Sequence, residues 1–482
     1  MMGQHRRLDA PASNAEITAG LDTFYLLFAG ALVFLMQAGF AMLCAGSVRA
    51  KNVKNIMLKN LLDACGGAIG FYLFGYSVAY GTSDKDYEEA DATFIGDTNY
   101  WAMYNLHGTD YISWYFQFAF AATAATIVAG TVAERCKMAA YVCYSLFLTA
   151  FVYPIVVHSI WDTAGFLSAF NGNDPLLDIG MVDFAGSGVV HMTGGATALI
   201  AAIVLGPRAG RFYDSDGNPL DEPAEFQPHS VALQVLGTFI LWFGWYGFNP
   251  GSTLAISPAG YPEVAALCAV TTTLAAACGC VSALLINYLV TMVGTGEGVY
   301  DLTMAMNGAL SGLVGITAGC STVQPWAAVC IGLIAGPVYI GASKTLVSLK
   351  IDDAVDAIPV HFANGAWGCI AVAIFADPDL VEAAYGTKTG GILYGDTDLL
   401  GCEFAGVFFI IGWVTILMTP FFLILKALGM FRVDALEEEV GLDISHHGGA
   451  AYDLTGPKKE DVEELVAQRS TKHGKVEAPT EA

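Results

Sequence analysis

Runs of about 20 predominantly apolar residues recur along this chain, separated by shorter polar connections. They fall near Thr23 to Cys44, Met57 to Tyr80, Ile112 to Ala133, Met138 to His158, Phe184 to Leu205 and Ser230 to Phe248. Others lie near Val264 to Met292, Leu302 to Cys320, Trp326 to Val347, Ile358 to Ala376 and Leu400 to Leu428. A helix of that length crosses a hydrocarbon core of roughly 30 Å, and only a backbone that closes its own hydrogen bonds is tolerated there. The pattern predicts an all-α polytopic membrane protein with eleven transmembrane helices, the membrane domain occupying 23–428 between an N-terminal segment, 1–22, and a tail, 429–482.

The connections set orientation. Arg49, Lys51 and Lys54 follow the first run, Arg135 and Lys137 the third, Arg208 and Arg211 the fifth, and Lys344 and Lys350 the ninth. Basic connections stay on the cytoplasmic side, and the opposite ones hold only Lys85 and Lys388. The N-terminus is therefore expected outside and the tail in the cytoplasm, which requires an odd number of spans.

Composition supports lipid as the solvent, with 55% hydrophobic and 14% charged residues. Arg6 and Arg7 lead into Asp9, Pro11 and Glu16 rather than an apolar stretch, so the first span is expected to act as its own insertion signal. The eleven cysteines, Cys65, Cys143, Cys268 and Cys369 among them, form no CxxC pair; buried thiols are expected, with no metal site and no cofactor. A net charge of −24, concentrated from Asp84 to Asp97 and in the tail, argues against a nucleic-acid partner.

Small residues four apart, Gly66 with Gly70 and Gly308 with Gly312, predict close helix approach. The stretch from Gly294 to Val299 has the glycines of a nucleotide loop but follows no strand, and reads as a helix-ending loop. DFAGSGVVHMTGGA from Asp183 aligns without gaps on DAVDAIPVHFANGA from Asp353. Each has an Asp eight residues before a histidine and Gly-Ala four residues after it. Spans five and ten run in opposite directions, so the match predicts two inverted five-helix repeats plus an eleventh helix. In a Gly- and Ala-rich chain, chance is the alternative.

His191 and His361 are the foremost chemical candidates, since a charge at a membrane helix centre costs about 2.5–3.5 kcal/mol and retained ionisable groups usually face a pathway. Helical rise puts each about 12 Å from its Asp, toward mid-bilayer. Two neutral imidazoles in contact share a proton and offer polar partners to a small solute; satisfaction by backbone carbonyls is the plainer alternative. Phe116, Phe120, Trp161 and Phe248, with Ser252, could form an aromatic trap for a cation that donates hydrogen bonds. On the residues alone, the enrichment of Trp at interfaces and Phe in spans explains them better. Asp183 and Asp356 read as helix caps first and as charges that attract a cation second.

Several long motifs in order carry a resemblance: GSVRAKNVKNIMLKNLLDA after Cys44, DFAGSGVVHMTGG from Asp183, GWYGFNPGS from Gly244 and GLDISHHGGAAY in the tail. From about Leu21 to Asp453 the chain resembles the ammonium transporter (Amt) family, in particular its plant and algal members. The resemblance implies a homotrimer in the plasma membrane, each subunit with its own pore for ammonium or ammonia, and methylammonium as a possible analogue. It places Trp161, Phe120 and Ser252 on an external recruitment site, with Phe116 beside it and Asp183 at the pore entrance. Phe120 and Phe248 fall on a stacked gate, and His191 with His361 on a twin-histidine pore. The family usually has Gly after its second histidine; here Phe362 and Ala363 follow, and bulk there is expected to narrow the pore or shift His361.

In the tail, Leu436 and Val440 are spaced to dock one helical turn, and Ser445 falls where plant relatives carry a phosphorylatable Thr. Beyond Gly456, charge and few apolar residues predict disorder. An ammonium sensor with little transport is the rival function, and a gas channel for neutral solutes leaves Trp161 and Ser252 unexplained. No nucleophile and base occur at a spacing that suggests an enzyme.

Overall fold

The computed structural model describes residues 12–81, 92–97, 99–452 and 464. Among them, ten helices are long and apolar enough to cross a membrane. In chain order these are α1 (Asn14–Ser47), α2 (Ala50–Tyr80), α3 (Gly108–Thr131), α4 (Met138–Trp161), α5 (Ser187–Leu205), α6 (Val231–Thr253) and α7 (Tyr261–Thr295). After the shorter α8 (Leu302–Thr317) come α9 (Pro325–Ser348), α10 (Ile358–Phe375) and α11 (Asp398–Ala427). The eighth expected span is present as a shorter helix: its 16 residues rise about 24 Å, because the chain turns after Thr317 although apolar residues continue to Cys320. Two short helices follow, α12 (Ala435–Val440) and α13 (Leu442–His447). The expected disorder beyond Gly456 falls outside the described residues except for Glu464, as does most of the acidic connection from Asp84 to Asp97.

α1 begins at Asn14, where the Ser13 hydroxyl accepts from the Glu16 amide and Glu16 accepts from the Ser13 amide, so the first helix starts well before the apolar run at Thr23. The packing has the pattern of two equivalent halves. α2 packs on α3 and α4 as α7 packs on α8 and α9, and α3 meets α5 as α8 meets α10. Equivalent helices meet one another along the middle, α1 against α6 and α5 against α10, and α11 covers α5 and α10.

The aligned segments match in detail. Both histidines sit in a π turn, Ser187–Met192 and Ile358–Ala363, and the π turn of each helix packs against the α-helical part of the other. Three residues after each aligned Asp, the backbone is left-handed, at Gly186 (φ 106°) and Asp356 (φ 57°). Asp183 accepts from the amides of Gly186, Gly188 and Val189 at 3.0, 2.9 and 2.8 Å. Asp353, not Asp356, is its counterpart, accepting from the Ile358 amide at 2.6 Å. Asp356 instead accepts from the hydroxyls of Tyr339 and Ser343, which corrects the capping role expected for it.

Small residues permit this packing. A Cβ on Gly312 would lie 2.1 Å from the Ala275 carbonyl oxygen, and one on Gly195 would lie 2.5 Å from the Phe362 amide. The first is the close α7–α8 approach expected of Gly308 and Gly312.

Candidate functional site

At the end of α4, Trp161 faces a cavity of about 70 Å³. Phe116, Phe120 and Ser252 line it too, so α3, α4 and α6 bring together four residues that lie far apart in sequence. The rings meet edge to face and obliquely: Phe116–Phe120 centroids are 4.7 Å apart, and Phe120–Trp161 are 5.9 Å apart at 82°. The Trp161 indole N–H donates to the Asp183 carbonyl oxygen at 2.6 Å, which fixes the plane the ring presents. Ser252 Oγ donates to the Phe248 carbonyl at 2.8 Å, leaving its lone pairs to accept. Aromatic faces beside such an oxygen suit a small cation with N–H donors. Asp183 itself does not line this cavity; it is buried, and its carboxylate is taken by the three amides at the start of α5.

Beneath the cavity Phe120 and Phe248 stand with centroids 4.2 Å apart at 34°. His191 stacks on Phe248 at 5.5 Å and on Trp245 at 5.2 Å, and its ring runs nearly parallel to that of His361, 5.1 Å away. The two Nδ1 atoms are 3.1 Å apart. Such a pair requires one imidazole to carry its proton on Nδ1 and the other to accept there. Both rings are buried, and His191 Nε2 has no hydrogen-bond partner among the described residues.

Beyond His361 a cavity of about 20 Å³ is lined by Phe40, Cys44, Thr126 and Leu310 among others. It shares Leu43, Asn307 and Val355 with a larger one of about 190 Å³ at the basic end of the bundle, where Arg208, Arg211 and Asp356 lie. The order from end to end is thus aromatic cavity, phenylalanine pair, histidine pair, small cavity, wide cavity. Phe362 lines none of these cavities; it is partly buried, with Gly195 packed against its backbone.

Sequence reasoning missed Tyr80 and Gln117, which line the aromatic cavity with a buried Tyr80 hydroxyl and Gln117 Oε1 that have no partners among the described residues. Gln117 follows Phe116 directly, but one-residue spacing on a helix predicts no shared face. It also missed Trp245, held by its N–H to Thr317 Oγ1 at 2.9 Å and stacked on His191. Trp245 lies within the GWYGFNPGS motif, which was the available signal.

At the basic end, Glu134 and Asp352 are buried among Arg49, Arg135, Arg208 and Arg211. Burial alone would raise the Asp352 pKa, but the hydrogen bonds and charge of Arg208, with Arg135, hold it well below the ordinary carboxylate range. The tail docks here through polar contacts rather than the expected Leu436 and Val440, which are only partly buried. Asp443 accepts from the Lys54 and Asn55 amides at 3.0 and 2.9 Å, capping α2 from outside, and Glu438 accepts from the Ala209 amide at 2.6 Å and pairs with Arg432. Ser445 lies two residues beyond Asp443, its Oγ donating to the Gly441 carbonyl at 2.8 Å.

Residues 24–452 match the model of the Ammonium Transporter Family. The chain belongs to the ammonium transporter family. It is 43% identical over 458 residues to ammonium transporter 1 member 3 of Solanum lycopersicum, covering 92% of this chain and 95% of the relative. With ammonium transporter 1 member 1 of Oryza sativa subsp. japonica the identity is 45% over 451 residues, covering 91% and 87%. Among solved structures, a protein described as "Sensor Amt Protein" superposes with a TM-score of 0.76 at 34% identity, covering 90% of this chain and all of that one. Candida albicans Mep2 superposes with a TM-score of 0.75 at 27% identity, covering 90% of each. Family membership agrees with a polytopic helical membrane protein that is not an enzyme.

Proposed function

We propose that this chain transports ammonium, recruiting the ion at the aromatic cavity of Trp161, Phe116, Phe120 and Ser252 and conducting ammonia or ammonium past Phe120 and Phe248 and along His191 and His361. The observation that supports this most is the unbroken sequence of contacts from that cavity through the two phenylalanines and the two histidines to the cavities at the basic end of the bundle. A desolvated cation over an indole face gains about 2 kcal/mol, and Ser252 accepts one of its N–H bonds. Beyond the phenylalanines the lining of the small cavity is mostly apolar and carries no charged side chain. Burying an ion unpaired costs far more than burying a neutral amine, so the step past the rings favours ammonia, with the imidazoles accepting and passing its hydrogen bonds.

In this reading the Trp161 end faces outward at the plasma membrane, following the basic connections at the other end. The subunit assembles as a homotrimer embedded in lipid, with 1–22 outside and 429–482 as a cytoplasmic regulatory tail. Asp183 serves recruitment indirectly, by holding the turn that carries the Trp161 partner. Ser445 is the regulatory position: a phosphate would set negative charge in the last turn of α13, beside buried Asp443, where neither the helix dipole nor that carboxylate favours it.

Expression in cells lacking their own ammonium transporters tests the reading. The parent chain restores growth on limiting ammonium, and Trp161→Leu raises the KM for methylammonium about thirtyfold, the equivalent of 2 kcal/mol, at unchanged membrane abundance. Binding without restored growth or uptake would instead make the chain a sensor, and an unchanged KM would remove Trp161 from recruitment.

A further inference from the structure

α11 lies outside the two repeated halves, yet it bears directly on the recruitment cavity. Glu403, near its start, is wholly buried. One carboxyl oxygen, Oε1, accepts from the Val182 amide at 2.7 Å; the other, Oε2, has no hydrogen-bond partner among the described residues. Among the described residues no Lys, Arg or His lies within ion-pair distance of it. A charged carboxylate in that setting would be far more costly than a protonated one with an idle hydroxyl.

The contact leads straight to the cavity. Val182 precedes Asp183, whose carbonyl oxygen accepts the Trp161 indole N–H at 2.6 Å. One turn further along α11, Gly406 lies under Met181: a Cβ there would fall 2.0 Å from the Met181 sulfur. α11 therefore holds the segment from Met181 to Asp183 at two points, and that segment holds Trp161.

We propose that Glu403 is a positioning residue for ammonium recruitment: a buried carboxyl on the eleventh helix that fixes, through Val182 and Asp183, the ring face Trp161 presents to the cation. The proposal rests on the recruitment role assigned to Trp161 above. It gives the eleventh helix a part in substrate affinity that the repeated halves alone do not supply.

The test is methylammonium uptake by full-length variants in transporter-deficient cells, with KM, Vmax and surface abundance measured together. Glu403→Gln keeps an acceptor for the Val182 amide without a charge, and should match the parent in KM. Glu403→Leu removes the acceptor and should raise KM about three- to tenfold, as the loss of one hydrogen bond implies, while Vmax per surface molecule holds. In a Trp161→Leu background, Glu403→Leu should add nothing, because its effect passes through that ring.

An unchanged KM in Glu403→Leu, a raised KM in Glu403→Gln, or a full additional loss in the double variant would each overturn the proposal. If Glu403→Leu does not reach the membrane, the near-isosteric Glu403→Met carries the same comparison, and the Gln variant remains decisive on its own. Trp161→Leu alone separates the two ideas: a parental KM there refutes the recruitment reading, whereas a raised KM with no coupling to Glu403 refutes only this inference.

Discussion

Asp183→Asn is a sharp test of how the structure supports its site. The carboxylate takes one amide on Oδ1, from Gly186, and two on Oδ2, from Gly188 and Val189. An amide side chain has one acceptor oxygen. Its best placement keeps the oxygen at the Oδ2 position, which turns the NH2 group toward the Gly186 N–H, donor against donor. One charge-assisted bond worth about 1.5–3 kcal/mol is lost, and the two that remain fall to neutral strength, roughly half. Relief of carboxylate desolvation offsets part of this, leaving a net cost of about 2–4 kcal/mol, a large share of a total stability on the order of 5–15 kcal/mol. The damage falls on the turn that places both the Trp161 partner and the π turn of His191. Thermal unfolding of the purified protein in detergent, together with methylammonium uptake, reads both effects. The variant should unfold at a lower temperature and lose uptake beyond its loss of abundance. Parental stability and uptake would refute the capping argument.

Two further outcomes follow from the basic end of the bundle. Asp352→Asn should cost about 3–5 kcal/mol at neutral pH, because it removes the carboxylate that accepts from Arg208 Nε and Nη2 and leaves that buried guanidinium with only the longer pairing to Glu134 at 3.5 Å. Since the folded carboxyl titrates below its unfolded value of about 3.9, the stabilisation is present above that pH and fades as pH falls beneath it, so thermal curves of variant and parent should converge in acid; a gap constant with pH would refute the pairing. Ser445→Asp should lower uptake at equal abundance by loosening the tail from the Lys54 and Asn55 amides, and transport like the parent would remove the switch.

The spans were legible because lipid leaves the backbone no alternative to helix, and hydropathy reports that constraint directly. Helix ends were less so: nothing apolar changes at Thr317, where α8 stops and the chain turns. The repeat was legible as Asp, eight residues, His, and the alignment already paired Asp353 with Asp183; assigning the cap to Asp356 overlooked that Asp356 is itself the left-handed residue between the acceptor Asp353 and the helix. The aromatic cluster could not be read from composition, since a Phe in a span looks the same whether it faces lipid or a cavity. Glu438 and Asp443 dock the tail by accepting amides and closing a helix end, Leu442 donates its amide to Asn52 Oδ1, and one buried apolar residue, Leu442, leaves no hydrophobic period to detect.

Replacing His191 with Phe addresses the central claim most directly, because it keeps a flat ring between Trp245 and Phe248 and removes both nitrogens. Purified parent and variant, reconstituted at equal density in proteoliposomes, can be compared by ammonium-driven flux. A histidine-lined conduit predicts that the parent conducts and that the variant falls about tenfold or more, the consequence of losing a buried hydrogen-bond partner worth about 1–3 kcal/mol. Parental flux from His191→Phe would contradict it.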